Sequence, residues 1–105
     1  MEVVCEGLET KIIVDQDLIA THSTQIHGEI VNALKEVDDG TVVLDISKTE
    51  MMDSIGIKVV IGLMKSCQSK GLGLRLDVAS ANILRLFKIC KLDDLLDVRE
   101  VVAHG

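Results

Sequence analysis

Thr41-Val42-Val43-Leu44-Asp45-Ile46-Ser47, followed five residues later by Asp53-Ser54-Ile55-Gly56, is the stretch that decides the fold. The first part is a short run of apolar, largely β-branched residues, the pattern of a strand. Its apolar residues are consecutive rather than alternating. That implies burial on both faces, as in a central strand lying under helices. The second part begins a helix at Asp53 or Ser54. Ile55, Val59, Leu63 and Cys67 then share one helical face, widened by Ile57, Ile61 and Met64.

Working outward, Lys70-Gly71-Leu72-Gly73 supplies a glycine stop for that helix. Leu74 to Val78 alternates apolar and charged residues and reads as a strand. Ser80 caps a third helix that carries Ile83, Leu86, Phe87 and Cys90 at helical spacing. A short helical turn is expected within Leu92 to Leu96, and a final strand over Val98 to Val102. Upstream, Ile19, Ile26, Ile30, Leu34 and Val37 predict a helix over 17–37, with Asp15 and Asp17 as cap or first-turn acids. Before it, Val3-Val4-Cys5 and Lys11 to Val14 flank Glu6-Gly7 and read as a strand pair. The order β-β-α-β-α-β-α-β predicts one compact α/β domain over 1–105 with a mostly parallel or mixed sheet.

Composition narrows the function. The chain has 105 residues, 11 Lys+Arg against 17 Asp+Glu, a formal charge of -6 and a single aromatic residue, Phe87. An acidic chain lacks the basic footprint of a non-specific nucleic-acid or anionic-membrane binder. One phenylalanine provides no stacking platform for bases. No apolar run approaches the ~20 residues of a spanning helix, and the N-terminus does not resemble a signal peptide. The expectation is a cytoplasmic protein with no direct membrane insertion. Cys5, Cys67 and Cys90 are odd in number and widely spaced, which predicts reduced core cysteines rather than a disulfide framework. His22, His27 and His104 show no zinc-ligand spacing, so no metal or cofactor is expected.

Standard catalytic signatures are missing: no G-x-S-x-G elbow, no Walker A loop, no H-E-x-x-H and no G-x-G-x-x-G. The chemistry-bearing group is Asp45 with Asp53-Ser54-Ile55-Gly56. Functional groups in α/β sheets gather beyond the carboxyl ends of the strands. Asp45 lies near that end of the central strand, and Ser54 opens the next helix on the same edge. A helix N-terminus offers free N–H groups and a positive dipole end. Gly56 leaves room for a partner's backbone. The plainer reading is that Asp53 or Ser54 is only a helix cap. With no general base evident beside it, Ser54 is a poor nucleophile. It could still accept a phosphoryl group from another enzyme, so the chain reads as a substrate rather than an enzyme.

Three stretches resemble the STAS domain family of bacterial anti-sigma factor antagonists. Val42 to Ser47 is similar to its strand ending in Asp-Leu-Ser. Met52-Asp53-Ser54-Ile55-Gly56-Ile57 is similar to its Asp-Ser-Ser/Thr-Gly-Leu signature. Ile83 to Phe87 with Leu92-Asp93-Asp94-Leu95 is similar to its third helix and the Gly-Leu-Asp that follows. The resemblance implies a STAS-like single domain, a mixed sheet with helices packed mainly on one side. It implies that Ser54 is the phosphorylation site. The unphosphorylated form would bind an anti-sigma factor or a serine protein kinase of the ATP-binding type, and a PP2C-type phosphatase would reset the switch. Asp45, Asp53, Ile55 and Gly56 are carried over only as neighbours of the partner site. Ile55 replaces the second hydroxyl residue of the signature, and Lys91 stands where Gly is usual. The alternatives are a STAS accessory subunit docking on a transporter ATPase of the lipid-trafficking kind, or a small nucleotide-binding enzyme.

Overall fold

The computed structural model describes residues 1–102; the expectations placed on His104 lie outside the described residues. The hairpin of β1 (Glu2–Glu6) and β2 (Glu9–Ile13) turns at Gly7, whose φ of 60° is a conformation that glycine adopts without a Cβ penalty. Helix α1 (Ala20–Leu34) follows, then β3 (Thr41–Ile46), α2 (Ser54–Lys70), β4 (Gly73–Val78), α3 (Ala81–Ile89), a 3-10 turn (Leu92–Asp94) and β5 (Asp97–Glu100).

The sheet order is β1-β2-β3-β4-β5, antiparallel only between β1 and β2. Each parallel step is bridged by one helix and advances the sheet by one strand in the same direction. Crossovers of this kind are right-handed, so all three helices fall on one face. The register agrees. Ile12, Leu44 and Leu76 stand side by side and join one core cluster with Ile30 of α1, Val60 of α2 and Phe87 of α3.

The opposite face carries the alternate row Lys11, Val43, Arg75 and Asp97. Val43 is fully buried there, although it lies outside the helix-side core. Long charged side chains cover apolar surface with their stems while their heads stay wet. Here Lys11 pairs with Asp45 at 3.4 Å, and Arg75 with Asp77 at 3.0 Å. Strand β3 is thus buried on both faces as expected, by helices on one side only.

Three expectations need correction. Helix α1 begins at Ala20 rather than 17 and ends at Leu34 rather than 37. Its N-cap residue is Ile19, which makes no side-chain cap, and its first turn holds no acid. Asp17 is engaged elsewhere, on the amides of Glu50 and Met51. Of the three cysteines only Cys67 is buried; Cys5 and Cys90 are exposed. Cys5 lies on the edge strand, where most residues of β1 face water, and Cys90 is the C-cap of α3. The final strand begins and ends slightly earlier than expected, at Asp97–Glu100. Among the described residues no helix is long and apolar enough to cross a membrane.

Candidate functional site

Two loops leave neighbouring strands at the same edge of the sheet. One runs from Val14 into α1, the other from Ser47 into α2. Parallel pairing of β2 and β3 brings them side by side, and their backbones hold each other. The Val14 N–H donates to the Asp45 carbonyl at 3.0 Å, Leu18 N–H to the Met51 carbonyl at 3.0 Å, and Asp53 N–H to the Leu18 carbonyl at 3.2 Å.

Two aspartates then cross between the loops. Asp17 Oδ1 accepts from the N–H groups of Glu50 and Met51 at 3.0 and 3.2 Å. Asp53 Oδ1 accepts from Ile55 and Gly56, each at 3.0 Å, and so caps α2. Its other oxygen accepts from the Ala20 N–H at 2.9 Å, the first residue of α1. One carboxylate therefore terminates two helices. The N–H groups of Gly56 and Ala20, joined by Ile55, hold the Asp53 carboxyl below the usual carboxylate range. The same loop is tied twice more, once to the start of α3 and once again to the α1 loop. The Ser80 hydroxyl donates to the Glu50 carbonyl at 2.9 Å while capping α3, and the Thr49 hydroxyl donates to the Gln16 carbonyl at 2.8 Å.

Ser54 stands on this frame as the first residue of α2 and is exposed. Asp53, not Ser54, is the cap. The choice left open by the local pattern is thereby decided, and the Ser54 hydroxyl is not taken up in ending the helix. Beside it, Ile55 is 37% and Met51 58% exposed. Ile55 and Lys58 line a groove of about 270 Å³ that opens between α2 and the Ser23–His27 part of α1.

Two of the candidate residues are placed differently from expectation. Gly56 is buried, and a Cβ on it would run into the carbonyl oxygen of Leu18 and come within 2.7 Å of the Met52 side chain. Its missing side chain admits this chain's own α1 loop, not a partner's backbone. Asp45 is 8% exposed and faces the sheet side away from the helices. Its carboxylate takes the Ser47 N–H at 2.9 Å and the Lys11 ammonium at 3.4 Å. Burial works to raise its pKa, but the Ser47 hydrogen bonds and Lys11 outweigh it and hold the group below the usual range. Asp45 thus shapes the turn after β3 and is engaged by its own chain. Among the described residues no cluster of three His, Cys, Asp or Glu side chains is placed to hold a metal ion.

Sequence reasoning missed Asp17, Thr49 and Ser80 as parts of the site. Their partners lie 30 to 34 residues away, beyond any local pattern. Asp17 was visible only as an acid near a helix start.

The fold has counterparts among solved structures. The structure of the protein TM1081 from Thermotoga maritima superposes with a TM-score of 0.85 at 16% identity, covering 96% of this chain and 86% of that one. The Bacillus cell fate determinant SpoIIAA in its phosphorylated form superposes with a TM-score of 0.72 at 18% identity, covering 96% and 90%. At such identities the likeness speaks for the fold. In sequence, the anti-sigma-B factor antagonist of Listeria monocytogenes is 33% identical over 67 residues, 63% of this chain. The chain spans 59% of the length of that relative. The STAS domain model matches residues 4–105, almost from end to end, and this chain belongs to the STAS domain family.

Proposed function

We propose that the chain is a phosphorylation-switched regulator of the anti-sigma factor antagonist type. The face around Ser54 binds an anti-sigma factor or an ATP-binding serine kinase while the hydroxyl is free. Phosphorylation of Ser54 weakens that binding, and a PP2C-type phosphatase reverses it. The Listeria relative bears the name of such an antagonist, and a fold relative from Bacillus is described in a phosphorylated form.

The observation that carries the reading is the division of labour between Asp53 and Ser54. The cap is made by Asp53, so the exposed serine is dispensable for the helix. A phosphate on Ser54 would find the Ile55 and Gly56 N–H groups already occupied. It would stand next to the Asp53 carboxylate and project toward the partner. A phosphoserine adds about -1.5 to -2 charges. A partner surface fitted to a neutral hydroxyl and to the apolar Met51 and Ile55 would meet repulsion and a desolvation penalty. A change of ~3 kcal/mol lowers affinity more than a hundredfold. The rigid frame beneath makes the switch one of surface charge rather than of fold.

The test compares Ser54→Ala and Ser54→Asp in binding to the host's candidate kinase. The alanine variant is expected to bind like the unmodified chain and to resist phosphorylation. The aspartate variant is expected to lose binding by about a hundredfold. Equal affinities would refute the switch. Phosphopeptide mass spectrometry of the Met51–Lys58 region, from growing and stressed cells, checks that the modification occurs.

A further inference from the structure

The last turns of α1 and α2 form a second groove, remote from Ser54. Helix α2 has 17 residues, so its end lies about 24 Å from its start at 1.5 Å per residue. The groove encloses about 400 Å³ and has Val31 and Leu34 among its lining. Lys35, Lys65 and Lys70 also line it, with no acidic residue among its walls. That is 3 of the 11 Lys+Arg, gathered in a chain with 17 acids. Lys70 already has a role: its Nζ donates to the Leu34 carbonyl, one of the orphan carbonyls at the end of α1. Lys35 and Lys65 pair with no carboxylate among the described residues.

The next residues of the chain carry the opposite sign. Glu36, Asp38 and Asp39 are exposed, and buried Val37 anchors the turn between them. They line another groove, of about 420 Å³, on the β1 side of α1. A basic and an acidic surface thus flank the same helix end, three charges against three. A two-fold axis beside the end of α1 would set each against its opposite on a second copy, twice over. An unrelated acidic partner would engage only one of the two.

We propose that the lysine groove receives the Glu36–Asp39 turn of a second copy of this chain, giving an isologous dimer through the end of the molecule remote from Ser54. Both Ser54 faces would then point outward and remain accessible. The proposal is independent of what Ser54 does. The contact is an ion-pair network over a small apolar patch that includes Val31, which is 38% exposed. Exposed ion pairs contribute about 0.2–1 kcal/mol each and are screened by salt. The dimer is therefore expected to be weak and salt-dependent.

Sedimentation equilibrium on the whole chain tests it, at about 0.1 M and about 0.5 M salt. At the lower salt the Debye length of about 10 Å screens the overall charge of -6 while leaving direct contacts intact. A dimer is expected there, with a dissociation constant about tenfold weaker at the higher salt. Lys65→Glu alone and Asp38→Lys alone should each be monomeric. Mixed together, they restore opposite charges at both contacts and should form a heterodimer. Circular dichroism confirms that both variants fold. A chain that stays monomeric at millimolar concentration overturns the proposal. So does a dimer indifferent to salt or to the reversals, or a mixture that fails to associate.

Discussion

Helices α1 and α2 start within a few ångströms of each other, yet they start by opposite means. α2 has a local cap: Asp53 bonds the amides two and three residues ahead. α1 has none, and its N-cap position is held by Ile19. Its first amide is satisfied by Asp53, 33 residues away. The acid that precedes α1, Asp17, is turned outward onto the amides of Glu50 and Met51 in the other loop. The two loops have exchanged their carboxylates. A helix start therefore need not be encoded next to the helix, and here the loop below Ser54 and the start of α1 form one unit.

The largest disturbance of that unit should come from Gly56. A Cβ there collides with the Leu18 carbonyl and lies 2.9 Å from Leu18 Cβ, so the α1 loop must be pushed off α2. Gly56→Ala is expected to lower stability by about 3 kcal/mol, the upper range for overpacking. Hydrogen exchange should then accelerate at Ala20 and Asp53 together, although neither residue is mutated. Loss of protection confined to the first turn of α2 would show that the two starts are separate after all.

A smaller effect is expected from Asp17→Ala. It frees two amides, those of Glu50 and Met51, on a loop still held by Ser80 and Thr49. Urea unfolding should show a loss of about 2 kcal/mol, two hydrogen bonds at about 1 kcal/mol each. If Asp17 acted as an α1 cap, the loss of protection would fall on the first turn of α1. The present geometry places it instead at Glu50 and Met51.

The same contrast explains what could be read in advance. β3, the start of α2 at Asp53 or Ser54, the Gly71 stop and the Ser80 cap were legible, because each signal sits within four residues of its effect, though which of Asp53 and Ser54 makes the cap was not. Helix α1 was overextended at both ends. Asp15 and Asp17 imitate a helix start, and Val37 continues the apolar spacing although it packs from a turn beyond the helix. Ser54 and Ile55 stand at the start of α2 as expected, but Ile55, grouped by its spacing with the apolar face of Val59, Leu63 and Cys67, is exposed where those three are buried. The contacts of Gly56 and Asp45 could not be read, because they depend on Leu18 and Lys11 in other segments. The unusual Lys91 has a clear physical reading: it adopts φ 58°, the left-handed region that favours glycine.

Acid provides a finer test of the shared carboxylate. The Asp53 pKa lies below its ordinary value of 3.8 in the folded chain. Its contribution to stability is therefore complete above that value and is lost as pH falls through the depressed folded pKa. Asp53→Asn keeps an acceptor for Ile55 and Gly56 but sets an amide against the Ala20 N–H. The variant should be less stable than the unmodified chain at pH 7, and the gap should narrow below about pH 4 as Asp53 protonates. Asp45, shifted the same way, contributes an acid slope common to both proteins, so only the difference between them reports on Asp53. A gap that stays constant down to pH 2 would mean that the charge of Asp53 does not matter to either helix.

The smallest effect serves as the control. Lys91 follows α3, away from both loops, and a left-handed conformation costs a non-glycine residue about 1–2 kcal/mol. Lys91→Gly relieves that strain but loosens the unfolded chain by about 0.5–1 kcal/mol. The net expectation is a gain of about 0.5 kcal/mol in urea unfolding. Because the residue touches neither aspartate, the gain should add to the losses from Asp17→Ala and Asp53→Asn without interaction. Additivity at Lys91 beside non-additivity between Asp17 and Asp53 would mark the two helix starts as one coupled element. Full additivity among all three would dissolve the unit into independent caps.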